Sequence, residues 1–410
     1  MQLRSFQGLV PTPEKAADVA AVPYDVVNRA ESKALAAGNP VNLLHVDRAE
    51  IDLPDSVGDY DPQVYQKALE NFKKLQSDGV LVREAGPCMY LYRQVMGDHA
   101  QTGLVAVCHI EDYEKDIIRK HEKTRKVKED DRTKLVDTLS ANTGPIFLTY
   151  RDQAQISALT KEHEKEDKPI YDITAPDGIR HMVWRLPVET CEELTKLFDK
   201  KVPLSYVADG HHRSASAARV GKERREQNPN HTGQEDYNWF LSVLFPASEL
   251  KILPYNRAVK DLNGHTLEGF LHVVGAIFSM DPNGKKVPDH PGQACMYYGG
   301  VWHTLDWKPL EKASPVETLD VSILQSRLLA PVLGIDDPRT SEKIDFIGGI
   351  RGTAELEKLV DSGSHKVAFS MYPTTVDQLM AIADAGEIMP PKSTWFEPKL
   401  RSGLFIHTLD

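Results

Sequence analysis

The stretch "VPLSYVADGHHRSASAAR", residues 202–219, constrains the fold of this chain more than any other. A β-forming run from Val202 to Val207 meets Asp209-Gly210 and passes into an alanine-rich segment of high helix propensity. A strand that feeds a helix through so short a polar junction is a building step of mixed α/β layers. The junction packs Asp209, Gly210, His211, His212 and Arg213 into five consecutive positions. A helix start exposes unpaired backbone N–H groups and a partial positive charge, which suits an anion. Gly210 lets the backbone turn tightly toward a ligand, and Arg213 can make a two-pronged contact with phosphate or carboxylate. His211 and His212 can donate further hydrogen bonds. Asp209 can bind a metal ion or orient a histidine. The small residues Ser214 to Ala218 let the helix pack close to a sheet. The residues read as a phosphate site; the plainer reading is a helix cap with space-filling histidines.

The rest of the chain supplies the frame. "DPQVYQKALENFKKLQSDGV" (61–80) has helical spacing and a Gly stop, and "CMYLYRQV" with "TGLVAVCHI" predicts a hairpin. "AVPYDVV" (21–27) predicts a short strand and turn, with Asp25 a buried turn residue or, as the alternative, one that approaches the site. Residues 119–141 are charge-dense and helical in their second half, with Leu135 and Leu139 on one face, and 161–168 read as a solvated, mobile face or loop. Residues 237–259 supply one or two buried strands, with Asn256 and Arg257 at a strand end. Helix and strand alternate again beyond 261, and a Pro/Lys-rich loop closes the chain with Lys392, Ser393 and Thr394 after two prolines. The pattern predicts an α+β (mixed α/β) protein in three regions, 1–115, 116–260 and 261–410.

Composition narrows the function. Net charge is −11, the sign opposite to that of a nonspecific nucleic-acid binder. No apolar run reaches membrane-spanning length, the N-terminus has no signal-peptide pattern, and the four cysteines show no CxxC spacing. A cytoplasmic protein without membrane or nucleic-acid partners is expected. Oligomeric state is not legible.

"ADGHHRSASAARVG" resembles the phosphate-gripping motif of the ParB/sulfiredoxin superfamily. Within it the chain is most similar to the free serine kinases, which phosphorylate L-serine to O-phospho-L-serine and share the Asp-Gly-His-His-Arg string. Two further segments agree in order. "RKHEKTRKVKEDDRTKLV" resembles the segment whose His-Glu pair supplies the kinases' catalytic glutamate, and "DAGEIMPPKSTWFEPKL" resembles their closing loop. The whole chain also resembles a bacterial family of unassigned function often labelled ParB/SpoOJ-like, with "PYDVV", "HEKTR", "DGHHR", "NR" and "PPKST" as landmarks. Likeness to the kinases covers about 115–220 and 320–400, with an added segment near 152–185 and an added N-terminal region.

The resemblance implies a ParB/sulfiredoxin-like core with additional N- and C-terminal α/β regions, and a Mg²⁺-dependent kinase using ATP or ADP on a small hydroxyl compound, L-serine first. It implies Glu122 as general base, a role worth roughly 10²–10⁴ in rate. Asp209 is the expected Mg²⁺ ligand or serine-ammonium partner. Gly210, His211, His212, Arg213, His121 and Arg125 are expected at the nucleotide phosphates, and Lys392, Ser393, Thr394, Asn256 and Arg257 at the substrate. Three other readings compete. A noncatalytic nucleotide sensor would keep the Asp-Gly-His-His-Arg string without needing Glu122. A ParB-like DNA-associated regulator would need a helix-turn-helix and a basic face. Sulfiredoxin-like reduction would need a cysteine within the motif, where position 211 is histidine.

Overall fold

A computed structural model describes every residue of the chain except Pro309. It is a mixed α+β protein of two compact units, Met1–Leu250 with Pro398–Asp410, and Lys251–Glu397. The expected boundary at 115/116 falls inside a nine-stranded sheet of the first unit. There His99–His109, from the expected first region, pairs antiparallel with Trp239–Pro246, from the second.

In the first unit the strand order is Ile118–Arg119, Ser205–Asp209, Ile146–Tyr150, Trp239–Pro246, His99–His109, Tyr90–Met96, Arg180–Arg185 and Tyr171–Thr174, with Leu3–Arg4 pairing His99–His109 off this path. The hairpin anticipated from the two β-rich runs is present, with Leu91 opposite Leu104. Central strands carry continuous apolar runs because helices and loops cover them; Leu91, Leu104, Ala106, Ile146, Leu148, Phe240 and Leu244 are all buried in one core. A second core gathers Leu44, Val64, Phe72, Leu75, Leu135 and Leu139. It joins helix Pro62–Ser77, capped by Asp61 and opened by Pro62, to helix Lys126–Leu139.

Three local expectations change. Tyr24–Val26 is a 3₁₀ turn, not a strand, and Asp25 is exposed. Residues 161–168, expected as a solvated face or a loop, lie largely in helix Ala154–Glu166. Its charge density hid a narrow buried stripe at Ile156 and two side-chain ties, Arg93 to Glu164 at 2.5 Å and His163 to Thr190 at 3.0 Å. Residues 237–259 form three strands, Trp239–Pro246, Lys251–Leu253 and Tyr255–Val259, because Pro246 and Pro254 interrupt the ladder.

The second unit holds a six-stranded antiparallel sheet ordered Ser279–Asp281, Val301–Asp306, Gln293–Tyr298, Val367–Met371, Tyr255–Val259 and Ile344–Gly348. Helix Gly352–Asp361 packs on it through Leu356, against Cys295, Tyr297 and Trp302. Part of the closing loop is a strand, Trp395–Glu397, paired with Lys251–Leu253. Among the described residues, no helix is long and apolar enough to cross a membrane.

Candidate functional site

Strands Ile118–Arg119 and Ser205–Asp209 lie side by side and parallel, Ser205 opposite Ile118 and Tyr206 opposite Arg119. Their C-terminal ends therefore open on the same edge of the sheet, where open α/β sheets place ligands. The chain leaving the first carries His121 and Glu122; the chain leaving the second carries Gly210, His211, His212 and Arg213. On its other side Ser205–Asp209 pairs with Ile146–Tyr150, and the register slips between Val207 and Asp209. A bulge of this kind re-aims the side chain that follows it, here Asp209.

Gly210 turns the chain at φ +95°, in the left-handed region. A Cβ at this position would stand 3.1 Å from Arg213 Nε. Helix His211–Gln227 then begins, and its first intrahelical bond runs from Ser214 N–H to Gly210 C=O at 2.9 Å. The amides of His211, His212 and Arg213 precede that bond and face the helix entrance, as an anion site requires. Ser214, Ser216, Ala217, Ala218 and Gly221 are buried in this helix. At Gly221 a Cβ would come 2.3 Å from the Tyr237 carbonyl, so the helix packs close against the turn Asp236–Asn238. A short strand, not a second recognition helix, follows: Trp239–Pro246 after the turn Asp236–Asn238.

His121 and His211 are both buried, their rings edge to face with centroids 4.5 Å apart. His211 Nδ1 stands 3.8 Å from Glu122 Oε2, and the Glu122 side chain is 47% exposed. Burial holds the His211 imidazole down to about 4 and the His121 imidazole well below its ordinary value. Both are neutral at pH 7. Glu122 thus sits at the solvent mouth of an otherwise buried pair.

Arg213 does not point outward, contrary to the expectation of a direct phosphate clamp. Its Nη1 donates to the Pro145 carbonyl at 2.6 Å and its Nη2 to Asp209 Oδ2 at 3.4 Å. Lys399 Nζ approaches the same Asp209 oxygen at 3.5 Å. Burial alone would raise the Asp209 carboxyl, but Lys399, Arg213 and His211 outweigh it and hold the group at about 2. Mg²⁺ wants near-octahedral oxygen donors, and a metal ion here would be repelled by the two cations already on Asp209. Asp209 Oδ2 is thus already engaged by Arg213 and Lys399.

Behind Arg213 lies a buried polar shell that sequence reading missed. Arg132 stacks over Tyr24 at 4.0 Å, and Thr143 donates to Asp47 at 2.5 Å. These residues, with Gly144, Arg213 and Ser402, line a cavity of about 30 Å³, room for a water. Asp25 is exposed yet acts electrostatically on both Arg213 and His212. Arg125 begins helix Lys126–Leu139, and its backbone N–H donates to His212 Nε2 at 3.0 Å. Lys399 lies inside the closing segment "STWFEPKL", but nothing local marks it as Asp209's partner.

The second unit gathers Asn256, Arg257, Lys392 and Ser393. Asn256 and Arg257 lie within strand Tyr255–Val259, not at its end. Asn256 Oδ1 accepts from Met371 N–H at 3.0 Å, which commits it to the sheet. The buried Arg257 donates to the carbonyls of Tyr255 and of Lys392, the latter at 3.2 Å, and burial lowers its guanidinium to about 9. Lys392 adopts φ +57°, and Ser393 donates its hydroxyl to the Pro390 carbonyl at 2.7 Å. Thr394 directly precedes strand Trp395–Glu397. Arg257 and Ser393 thus hold the turn that displays Lys392.

A family model described as "Protein of unknown function (DUF1015)" matches residues 3–322. No curated protein matches the chain significantly. Among solved structures, the chain is similar to a free serine kinase in complex with AMP, at 12% identity over 73% of this chain and 92% of that one, with a TM-score of 0.37. A variant of free serine kinase in complex with ADP gives 12% identity, 73% and 92% coverage and a TM-score of 0.38. SbnI with a C-terminal truncation, from Staphylococcus aureus, gives 12% identity, 73% and 87% coverage and a TM-score of 0.40.

Proposed function

The chain belongs to the DUF1015 family, and from that premise we propose that it is a nucleotide-dependent kinase of a small hydroxyl compound, free L-serine first. One observation carries the reading: the Glu122 carboxylate is 3.8 Å from His211, at the entrance of the helix that follows Asp209-Gly210. Phosphoryl transfer to an alcohol needs a phosphate held in place and a base beside the attacking oxygen. The free amides of His211, His212 and Arg213 suit the first need, and half-exposed Glu122 suits the second. The order of the His-Glu, Asp-Gly-His-His-Arg and Pro-Pro-Lys-Ser-Thr segments supports serine as acceptor. The first unit is read as the ParB/sulfiredoxin-like core.

In this account the helix entrance, with Arg125 and His212 beside it, holds the donor phosphates. Glu122 takes the hydroxyl proton, the serine oxygen forms a bond to the terminal phosphorus, and the bridging P–O bond breaks to release the shortened nucleotide. Asp209 orients Arg213 and Lys399. Magnesium accompanies the nucleotide phosphates and takes no part in a step through Asp209. Within the second unit, Lys392 and Thr394 are the side chains proposed to meet a carboxylate or phosphate, and Asn256, Arg257 and Ser393 support the backbone that presents them.

The test is phosphorus NMR of reactions with L-serine, Mg²⁺ and either ATP or ADP. Phosphoserine from at least one donor is expected. Tight nucleotide binding with no phosphoserine from either would overturn serine as the acceptor; no transfer to any of a panel of small hydroxyl compounds would overturn the kinase reading and leave a nucleotide sensor.

A further inference from the structure

The paired histidines carry more than the proposed transfer uses. One ring nitrogen each from His121 and His211, with a Glu122 oxygen, lie within 4.8 Å of one another. Both ring nitrogens of His121 are buried without a well-formed hydrogen bond, though the Val207 backbone is near; at His211 the buried atom left without a partner is Nε2, while Nδ1 faces Glu122 Oε2. Buried polar atoms left in this way are uncommon and need an explanation. We propose that His121, Glu122 and His211 bind a divalent transition metal ion of the zinc or cobalt type.

The donor chemistry chooses the metal. Imidazole nitrogens suit Zn²⁺, Co²⁺ and their neighbours, whereas Mg²⁺ takes oxygen. Donors about 2.1 Å from a shared tetrahedral ion stand about 3.4 Å apart. The 3.8 Å between His211 Nδ1 and Glu122 Oε2 is already close to that. Three protein donors leave a coordination position for water or a ligand oxygen. The parallel strands explain why the donors meet, since His121 and His211 each follow the C-terminal end of one of two adjacent strands. All four cysteines are buried and are poor competitors for added metal. An ion bound here engages the carboxylate proposed as the base, so its occupancy silences phosphoryl transfer.

The inference shares Glu122 with the proposed kinase site but is read without nucleotide or serine. The full chain, stripped with a chelator, is titrated with Co²⁺ and followed by its visible absorption. One equivalent bound with imidazole-type bands is expected, displaced by Zn²⁺ and unaffected by excess Mg²⁺. Glu122→Gln, at a half-exposed position, should weaken binding at least about tenfold, the scale on which even outer contacts act. His211→Ala should weaken it further, with circular dichroism confirming that the variant is folded. No stoichiometric Co²⁺ on the wild type, or equal affinity in wild type and Glu122→Gln, would overturn the metal site. Phosphoserine formation is assayed on the chelator-stripped chain with Mg²⁺ alone: stoichiometric Co²⁺ binding with no phosphoserine from the stripped chain counts against serine phosphorylation and not against the metal site, and phosphoserine without Co²⁺ binding fails only the metal site.

Discussion

The Lys399 ammonium lies 3.5 Å from the Asp209 carboxylate, a contact that spans 190 residues of sequence. Together with Arg213 at 3.4 Å it keeps a partly exposed acid charged at the end of the strand that leads into the helix entrance. Lys399→Met removes the largest stabilising influence on that charge. A loss of about 1.5–3 kcal/mol is expected at pH 7, the scale of a hydrogen bond to a charged group. Because the folded Asp209 titrates near 2, below its ordinary 3.8, its contribution is complete above about pH 4 and fades as pH falls toward 2. The gap between variant and wild type should shrink over that window. Thermal melts at pH 7 and below pH 4 check this; equal melting at pH 7 would contradict the role given to Lys399.

His211 works in the opposite chemical sense but with a similar pH outcome. Its folded value is about 4 against 6.5 for an ordinary histidine, so the unfolded chain takes up the proton first. Stability is full above about pH 6.5 and declines as pH falls toward 4, by on the order of 3 kcal/mol from this residue alone. His211→Gln keeps a polar side chain without the titration. Denaturant midpoints measured from pH 7 to 4 should fall less steeply for the variant than for the wild type.

Gly210→Ala tests the turn itself. The residue needs φ +95°, and a Cβ would crowd the Arg213 guanidinium at 3.1–3.2 Å. Strained backbone of this kind costs about 1–3 kcal/mol. Displacing Arg213 also loosens its bond to the Pro145 carbonyl, so both melting temperature and ADP affinity should drop. Unchanged ADP affinity in calorimetry would separate the turn from the nucleotide.

Much of this site was legible because it is local. The β-run, the Asp-Gly turn and the alanine-rich helix predict their own junction, and the strand–turn–helix is found at 205–227. What surrounds the junction was not legible. Arg213 reads as an outward phosphate ligand from sequence, yet Pro145 and Asp209 turn it inward. Both partners are supplied by the packing of the Ile146–Tyr150 strand and the bulge before Asp209, which no short motif encodes. Lys399, Tyr24 and Asp47 reach the same region through long-range closure of the chain. Asn256 and Arg257 read as a polar strand end because they follow a proline, and flanking strands on both sides bury them instead. Helix Ala154–Glu166 was lost among its charges because few of its residues are buried.

The central claim is that Glu122 is the base beside a phosphate-binding helix entrance. The most direct measurement compares wild type with Glu122→Gln for both nucleotide affinity and phosphoserine formation, using the donor that serves the wild type. The account predicts nucleotide affinity close to wild type, with the transfer rate down by roughly 10²–10⁴, the scale of acid–base catalysis. A variant that forms phosphoserine at the wild-type rate would contradict it.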